Sequence, residues 1–372
     1  MKIAYVANAR IPTEKAHGLQ IMKTCEALFQ AGEEVTLIVP TRRNNIKVDP
    51  FDYYKIKTRF PIVYLKNADF INFGFLGYAL QSFLFARKIH KYLQKSSADV
   101  VFGRDEMILC VASSVKPVVW ETHTGALNFW AKELLKKAKG IIAITQGLRD
   151  FYVSNGLNAE KISVIADAVD ISEFDIAINK IESREKLGLP QDKKLAIYTG
   201  HLYEWKGTGI LARATKFLPE NFLVVFVGGT EKDIGEFKKI YENEPKIKII
   251  GHESHEKIPM YLRAADVLVV PNTAKDTVSR LYTSPMKVFE YMASGTPIVA
   301  SDLPSIREVL NESNAFLVTA DDPEVLASGI SGATLALGQS RAAQARLDAE
   351  NYSWQKRAEK IIGFCKKTVF SS

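Results

Sequence analysis

The chain has 372 residues, 47% hydrophobic and 24% charged, the profile of a globular protein long enough for two domains with cores of their own; no repeat or low-complexity segment stands out. Lysine and arginine number 49 against 42 aspartates and glutamates, a formal charge of +7 that suits anionic partners such as nucleotide phosphates or an acidic membrane surface but lacks the dense basic clustering of a nucleic-acid binder. Three cysteines, Cys25, Cys110 and Cys365, lie far apart with no metal-type spacing, so reduced thiols and a cytoplasmic protein are expected.

The first apolar run, 3–7, reads as a strand and is too short for a signal peptide, and no apolar run reaches the roughly 18 residues of a membrane span. A loop, 8–18, leads into a helical pattern over 19–31 that Gly32 closes. Further strand-like runs fall at 35–39, 62–65, 100–102, 118–120, 141–145 and 162–165, with helical patterns between most of them. A second series follows at 195–198, 222–227, 247–250, 267–270, 298–300 and 316–318. Strands alternating with helices predict parallel, doubly wound sheets, and two such series predict two Rossmann-like domains, 1–175 and 186–352. The polar stretch 170–194, with the turn Leu187-Gly188-Leu189-Pro190, reads as the join. A last helix within 353–372 carries Trp354, Ile361, Ile362 and Phe364 as apolar anchors. Ligands of such sheets bind beyond the carboxyl ends of the strands, here expected between the two domains.

The candidate site residues follow from that placement. After the first strand comes Asn8-Ala9-Arg10-Ile11-Pro12 and no glycine before Gly18, so the Gly-x-Gly-x-x-Gly fingerprint of dinucleotide enzymes is absent, as is a Gly-x4-Gly-Lys-Ser/Thr phosphate loop. His17-Gly18 at the helix start either approaches a ligand with backbone N–H groups or merely relieves a tight turn. His123, in Glu121-Thr122-His123, stands just past a strand end, where a histidine is a ligand-binding candidate or a structural one. In Gly200-His201-Leu202-Tyr203-Glu204-Trp205-Lys206-Gly207 a lysine precedes a helix start, which the helix dipole disfavours unless an anion binds there. Gly228-Gly229 and Gly251-His252 follow strands and are ordinary turn chemistry by themselves; His252 and His255 read as loop residues. Thr283-Ser284-Pro285 reads as a helix N-cap, Met286, Phe289 and Ala293 share one face, and Gly295-Thr296-Pro297 stops the helix. The first turn of that helix aims N–H groups forward as an anion site, and Glu290, one turn in, can accept hydrogen bonds from paired sugar hydroxyls; the plain alternative is an αβα unit with a surface glutamate.

The stretch 282–308 resembles the donor-site signature of glycosyltransferase family 4, retaining enzymes of the GT-B fold, whose pattern is Glu-x7-Glu followed by Gly-x-Pro. Glu290 matches the second glutamate, Gly295 and Pro297 match Gly-x-Pro, and Tyr282 stands where the first glutamate belongs. A branch of the family carries Ser-Pro-x-Lys-x-Phe-Glu-Tyr, which Ser284 to Tyr291 match, without that glutamate. The resemblance extends to both halves. It implies that Gly18 abuts donor or acceptor and that His123 lines the reaction centre beside the donor sugar. Lys206-Gly207 matches the family's Lys-Gly, with His201 replacing its arginine, and Gly229 and His252 fall where the family wraps the nucleotide base. Tyr282, Thr283, Ser284, Met286 and Lys287 fall along the diphosphate and sugar, with Glu290 on the ribose.

What the resemblance implies is an α/β GT-B protein, two Rossmann-like domains with parallel sheets facing across a cleft, the last helix crossing back to the first domain. The implied reaction is retaining transfer of a sugar from a nucleotide-diphosphate sugar to an acceptor hydroxyl, in cell-envelope polysaccharide or glycolipid synthesis, with catalysis assigned to His123, Lys206 and Glu290. No Asp-x-Asp occurs, and neither a metal nor another cofactor is expected. Implied partners are the nucleotide sugar and a sugar or lipid-linked glycan acceptor, with peripheral contact at the inner face of an anionic membrane and no nucleic acid. The segment 67–95 mixes Phe70, Phe73, Phe75, Tyr78, Phe83 and Phe85 with Arg87, Lys88, Lys91 and Lys95, which reads either as that contact surface or as an amphipathic helix with a solvated basic face. A sugar-nucleotide epimerase of the same fold and a non-catalytic sugar-nucleotide-binding protein remain the alternatives.

Overall fold

The computed structural model describes residues 1–370, and its chain divides into two compact units, Met1–Ala166 with the C-terminal helix Trp354–Phe370, and Asp167–Ser353. The first unit holds seven parallel strands: β1 (Lys2–Val6), β2 (Glu34–Pro40), β3 (Ile62–Leu65), β4 (Val100–Gly103), β5 (Val118–Thr122), β6 (Gly140–Ala143) and β7 (Ile162–Val164), in the order β3-β2-β1-β4-β5-β6-β7. The second holds six: β8 (Lys194–Thr199), β9 (Phe222–Val227), β10 (Ile247–Gly251), β11 (Val267–Val270), β12 (Ile298–Ser301) and β13 (Phe316–Val318), in the order β10-β9-β8-β11-β12-β13. Both are parallel α/β sheets. Their central strands are apolar runs buried on both faces, as Val100–Gly103 and Val267–Val270 show, because helices cover each side of a parallel sheet.

Each sheet reverses its winding once, between β1 and β4 in the first and between β8 and β11 in the second. Loops leaving the carboxyl ends of those neighbours splay apart and leave a crevice for ligand.

The helix Trp354–Phe370 packs on the helix Ala16–Gln30 and on β6. Gly140 opens β6 because a β-carbon there would lie 2.7 Å from the Phe364 ring. Residues 371–372 of the expected 353–372 segment lie outside the described residues.

The expected join needs correction. Residues 170–194 are no linker; they form the helices Ile171–Phe174 and Lys180–Leu187 and the first residue of β8, all within the second unit, and the division falls at Ala166/Asp167. Charge made the stretch look like a linker, yet two of its cations are paired within the unit. Arg184 donates to Asp266 Oδ2 at 2.6 Å and to the Ala264 carbonyl at 2.9 Å, and Lys180 reaches Asp266 Oδ1 at 2.9 Å. Asn179 and Glu182 form a capping box and Gly188 ends the helix with left-handed backbone, φ 60°.

Candidate active site

In the first unit charged groups of opposite sign meet beside the winding reversal. Glu121, on β5, is 0% exposed. It accepts from Arg357 of the C-terminal helix at 2.6 Å and from His123 Nε2 at 2.8 Å, and it forms an ion pair with Arg104, just past β4, at 3.1 Å. An ionised carboxylate only accepts, so His123 carries its proton on Nε2. Burial alone would raise the Glu121 carboxyl, but Arg357, Arg104 and His123 outweigh it and hold it well below the usual carboxylate range. Arg357 spends its other donors on the Ala166 carbonyl (3.0 Å) and Thr24 Oγ1 (3.2 Å), and Arg104 also bonds Gln20. The result is a rigid mount that fixes the tautomer and the aim of His123. His17 lies beside it; burial first, then the charges of Arg104 and Lys15, push its imidazole down to about 4, so it is neutral near pH 7.

Gly18 is explained without a ligand. Its N–H donates to the Lys15 carbonyl at 2.9 Å, and a β-carbon would collide with the Tyr54 hydroxyl, which itself bonds Thr13 N and O at 2.6 and 2.8 Å.

In the second unit the reversal point holds two lysines, Lys206 and Lys287, with no acid bonded to Lys287. The loop after β8 turns at Gly200 (φ 118°) and runs through a 3-10 turn, Glu204–Lys206, to Gly207 (φ 71°), where any side chain would strike the Pro271 carbonyl beyond β11. That contact pins the loop across the crevice. Lys206 sits 4.7 Å from the Trp205 ring centroid, and burial lowers its ammonium to about 8. Lys287, in the first turn of the helix Met286–Ser294, is 7% exposed, and its Nζ lies 3.6 Å from the Tyr198 ring centroid with no hydrogen-bond partner. Burial, then the neighbouring Lys206, push its ammonium well down, opposed by Glu290.

His201 does not act as a third cation. It stacks face to face on Tyr203 (4.8 Å, 6°), its Nδ1 lies 3.6 Å from Asp233, and burial lowers its imidazole more than Asp233 restores it. Asp233 is already engaged by Leu202 N at 3.0 Å and by Thr230 in a capping box. Gly228 passes so close to Gly200 that a β-carbon would meet its carbonyl at 2.9 Å, which serves a backbone crossing, and at Gly229 one would meet the Ile234 side chain at 2.8 Å.

The Thr283-Ser284-Pro285 cap is corrected too. Pro285 holds the cap position, no side chain caps the helix, and the Ser284 hydroxyl instead accepts from Asp167 N at 3.1 Å. The uncapped first turn at Met286 and Lys287 keeps the character of an anion site. Tyr282 closes the π-helical turn Val278–Tyr282 and, like Thr283, is half-buried. Gly295 ends the helix at φ 65°, as its sequence signal indicates. Glu290 accepts from His255 Nε2 at 3.2 Å, and His255 Nδ1 lies 4.0 Å from Glu173; this histidine, taken from sequence as a loop residue, is the partner of the candidate ribose ligand. His252 is exposed on the loop after β10. Sequence reasoning passed over Glu121, Arg104 and Arg357, while it placed Lys287 along the donor. A glutamate inside the apolar run Val118-Val119-Trp120 and an arginine on the apolar face of the last helix were signals that could have found two of them. Among the described residues no group of three His, Cys, Asp or Glu side chains is placed to hold a metal.

Residues 19–173 match the family described as Glycosyltransferase Family 4, and residues 179–343 the one described as Glycosyl transferases group 1. The chain is 29% identical over 222 residues to the D-inositol 3-phosphate glycosyltransferase of Xylanimonas cellulosilytica, covering 56% of this chain and 51% of that protein. It is 31% identical over 173 residues to the UDP-Gal:alpha-D-GlcNAc-diphosphoundecaprenol alpha-1,3-galactosyltransferase of Escherichia coli, covering 44% and 42%. These matches span about half the length of either relative. Among solved structures it is similar to Anabaena HepE in complex with UDP-glucose, TM-score 0.77 at 18% identity, covering 99% of this chain and 100% of that one; the shared fold is GT-B.

Proposed function

The chain belongs to glycosyltransferase family 4, and on that premise we propose that it transfers a sugar, with retention at the anomeric carbon, from a nucleotide-diphosphate donor to an acceptor hydroxyl in glycan synthesis. The observation that carries the reading is the Lys206–Lys287 pair, two desolvated lysines with no carboxylate bonded to either among the described residues, at the winding reversal of the second sheet. Such a site favours a ligand that brings several negative charges, and it stabilises the charge that develops on a departing diphosphate. Glu290, aimed by His255, binds the ribose hydroxyls. His123, held by Glu121, presents an oriented imidazole to the sugar. No metal and no other cofactor takes part in this scheme.

The Escherichia coli relative is named for a UDP-sugar donor and a lipid-diphosphate-linked acceptor, and a chemistry of that kind fits this chain. The helix Gly74–Lys95 and the turn before it expose Phe73 (76%), Phe75 (82%) and Leu76 (79%), followed by Arg87, Lys88, Lys91 and Lys95, with no acidic residue in the helix. Asn8, on the loop leaving β1, donates to Ser82 of that helix at 2.9 Å, so the apolar face borders the functional edge of the sheet. Charge and exposed aromatics together suit an anionic bilayer as the place where a lipid-linked acceptor is met. No described helix is long and apolar enough to cross a membrane.

The test is binding and turnover with UDP-, GDP- and ADP-sugars. One nucleotide should raise the melting temperature of the native protein, and Glu290→Ala should weaken that nucleotide about 10-fold, as loss of a charged acceptor predicts. Unchanged affinity would remove the ribose assignment, and no response to any nucleotide would remove the donor-site reading. Phe75→Ser with Leu76→Ser should abolish co-sedimentation with anionic vesicles while leaving nucleotide affinity unchanged; retained sedimentation excludes this face.

A further inference from the structure

We propose that Lys287 is the second diphosphate-binding cation of this site, in the role that His201 cannot fill, and that it takes up a proton as the donor binds. The inference rests on the donor-site reading and deepens it.

The geometry begins with Gly200. A β-carbon there would lie 3.5 Å from Lys287 Nζ, so the ammonium reaches across to the loop that carries His201, from a helix 87 residues later in the chain. His201 is turned away from that task. Its ring is covered by Tyr203 and its Nδ1 is directed at Asp233. The positive charge that the resemblance places on the loop after β8 therefore comes from the neighbouring helix in this chain.

The groups facing Lys287 supply no counter-ion. From β8 comes the face of Tyr198, and from the loop after it His201 and Lys206. From its own helix come Glu290 and Tyr291, the first hydrogen-bonded to His255, the second to Thr199 N at 2.8 Å and Thr199 Oγ1 at 3.1 Å. Asp233, near the loop, is engaged by backbone and by Thr230, and Glu204, in the loop, is exposed. A purely structural lysine buried this far would be expected to have a carboxylate or carbonyl on its Nζ; this one has none. Burial and the charge of Lys206 favour the neutral amine in the free protein. A diphosphate entering between the two lysines reverses the balance. The amine accepts one proton from solvent, becomes an ammonium, and donates to phosphate oxygens; no other bond changes.

The experiment is calorimetric titration of the full chain with UDP, or with whichever of GDP and ADP it binds, in buffers of low and high ionisation enthalpy between about pH 7.5 and 9, above the second phosphate ionisation. The wild-type protein should take up protons on binding, so affinity falls as pH rises. Lys287→Met should lose the share of that uptake that Lys206, itself lowered to about 8, does not supply, and bind the diphosphate about 30-fold more weakly, as expected for removing one partner of a desolvated charge pair. Its affinity for the uncharged nucleoside should not change, and its melting temperature without ligand should be equal or higher. A variant that binds the diphosphate as tightly as wild type, or with the same proton uptake, overturns the inference while the donor site stands. Equal loss of nucleoside and diphosphate affinity also overturns it, by marking the residue as structural. Failure of the wild-type protein to bind any nucleoside diphosphate removes the donor site itself, and the inference with it.

Discussion

The two winding reversals carry charge in opposite ways. In the first unit the buried carboxylate of Glu121 meets three cationic or proton-donating partners, Arg357, Arg104 and His123. In the second, Lys206 and Lys287 are desolvated and face each other without a bonded acid. A cluster of opposite charges paired with one another is a scaffold, because each member holds the next. An unsatisfied one is a ligand site, because its cost is removed only by something from outside.

Substitution should separate the two sharply. The largest expected effect on stability is from Glu121→Ala, which strands the buried Arg357 guanidinium and removes the partner of the half-buried Arg104, and should cost about 3–5 kcal/mol by denaturant unfolding. A loss below about 1 kcal/mol would mean that the cluster is not the scaffold described. Lys206→Ala should do the reverse, leaving unfolding nearly unchanged while lowering kcat/KM about 100-fold, the usual effect of deleting one electrostatic group from a transition-state site. If activity survived, the diphosphate would have to lie elsewhere.

The smallest effect is a pH slope. His17 titrates at about 4 in the folded protein and near 6.5 when unfolded. Between those values the unfolded chain binds a proton that the folded chain does not, so stability falls as pH drops from about 6.5 to 4 and this contribution is constant below. His17→Gln should flatten that part of the profile. The Glu121 carboxyl, held low in the fold, contributes stability above about pH 4.3 that is lost as pH falls toward its folded value, and this slope should survive in the His17 variant.

Much of this was legible from residue order. The strand series, the cap at Gly295, and the placement of His123 and Lys206 at strand ends depend on neighbours within one or two turns, which a sequence displays directly. The misreadings share one cause. Residues 170–194 looked like a linker because Arg184 and Lys180 seemed solvated, and Asp266, which pairs with both, is about 80 residues away. Ser284 looked like a cap because its rank in the chain suits one, yet its hydroxyl is taken by Asp167, 117 residues earlier.

The sequence alone therefore determined the alternation of strands and helices, the doubling of the α/β series and the family signature, since periodicity, caps and turns are local. Only the tertiary structure decided which charges are paired. It brings Arg357 to Glu121 across 236 residues and sets Lys287 over Tyr198, beside Gly200, with no acid bonded to it. Electrostatic energy depends on burial and distance in space, and neither can be read from position along the chain.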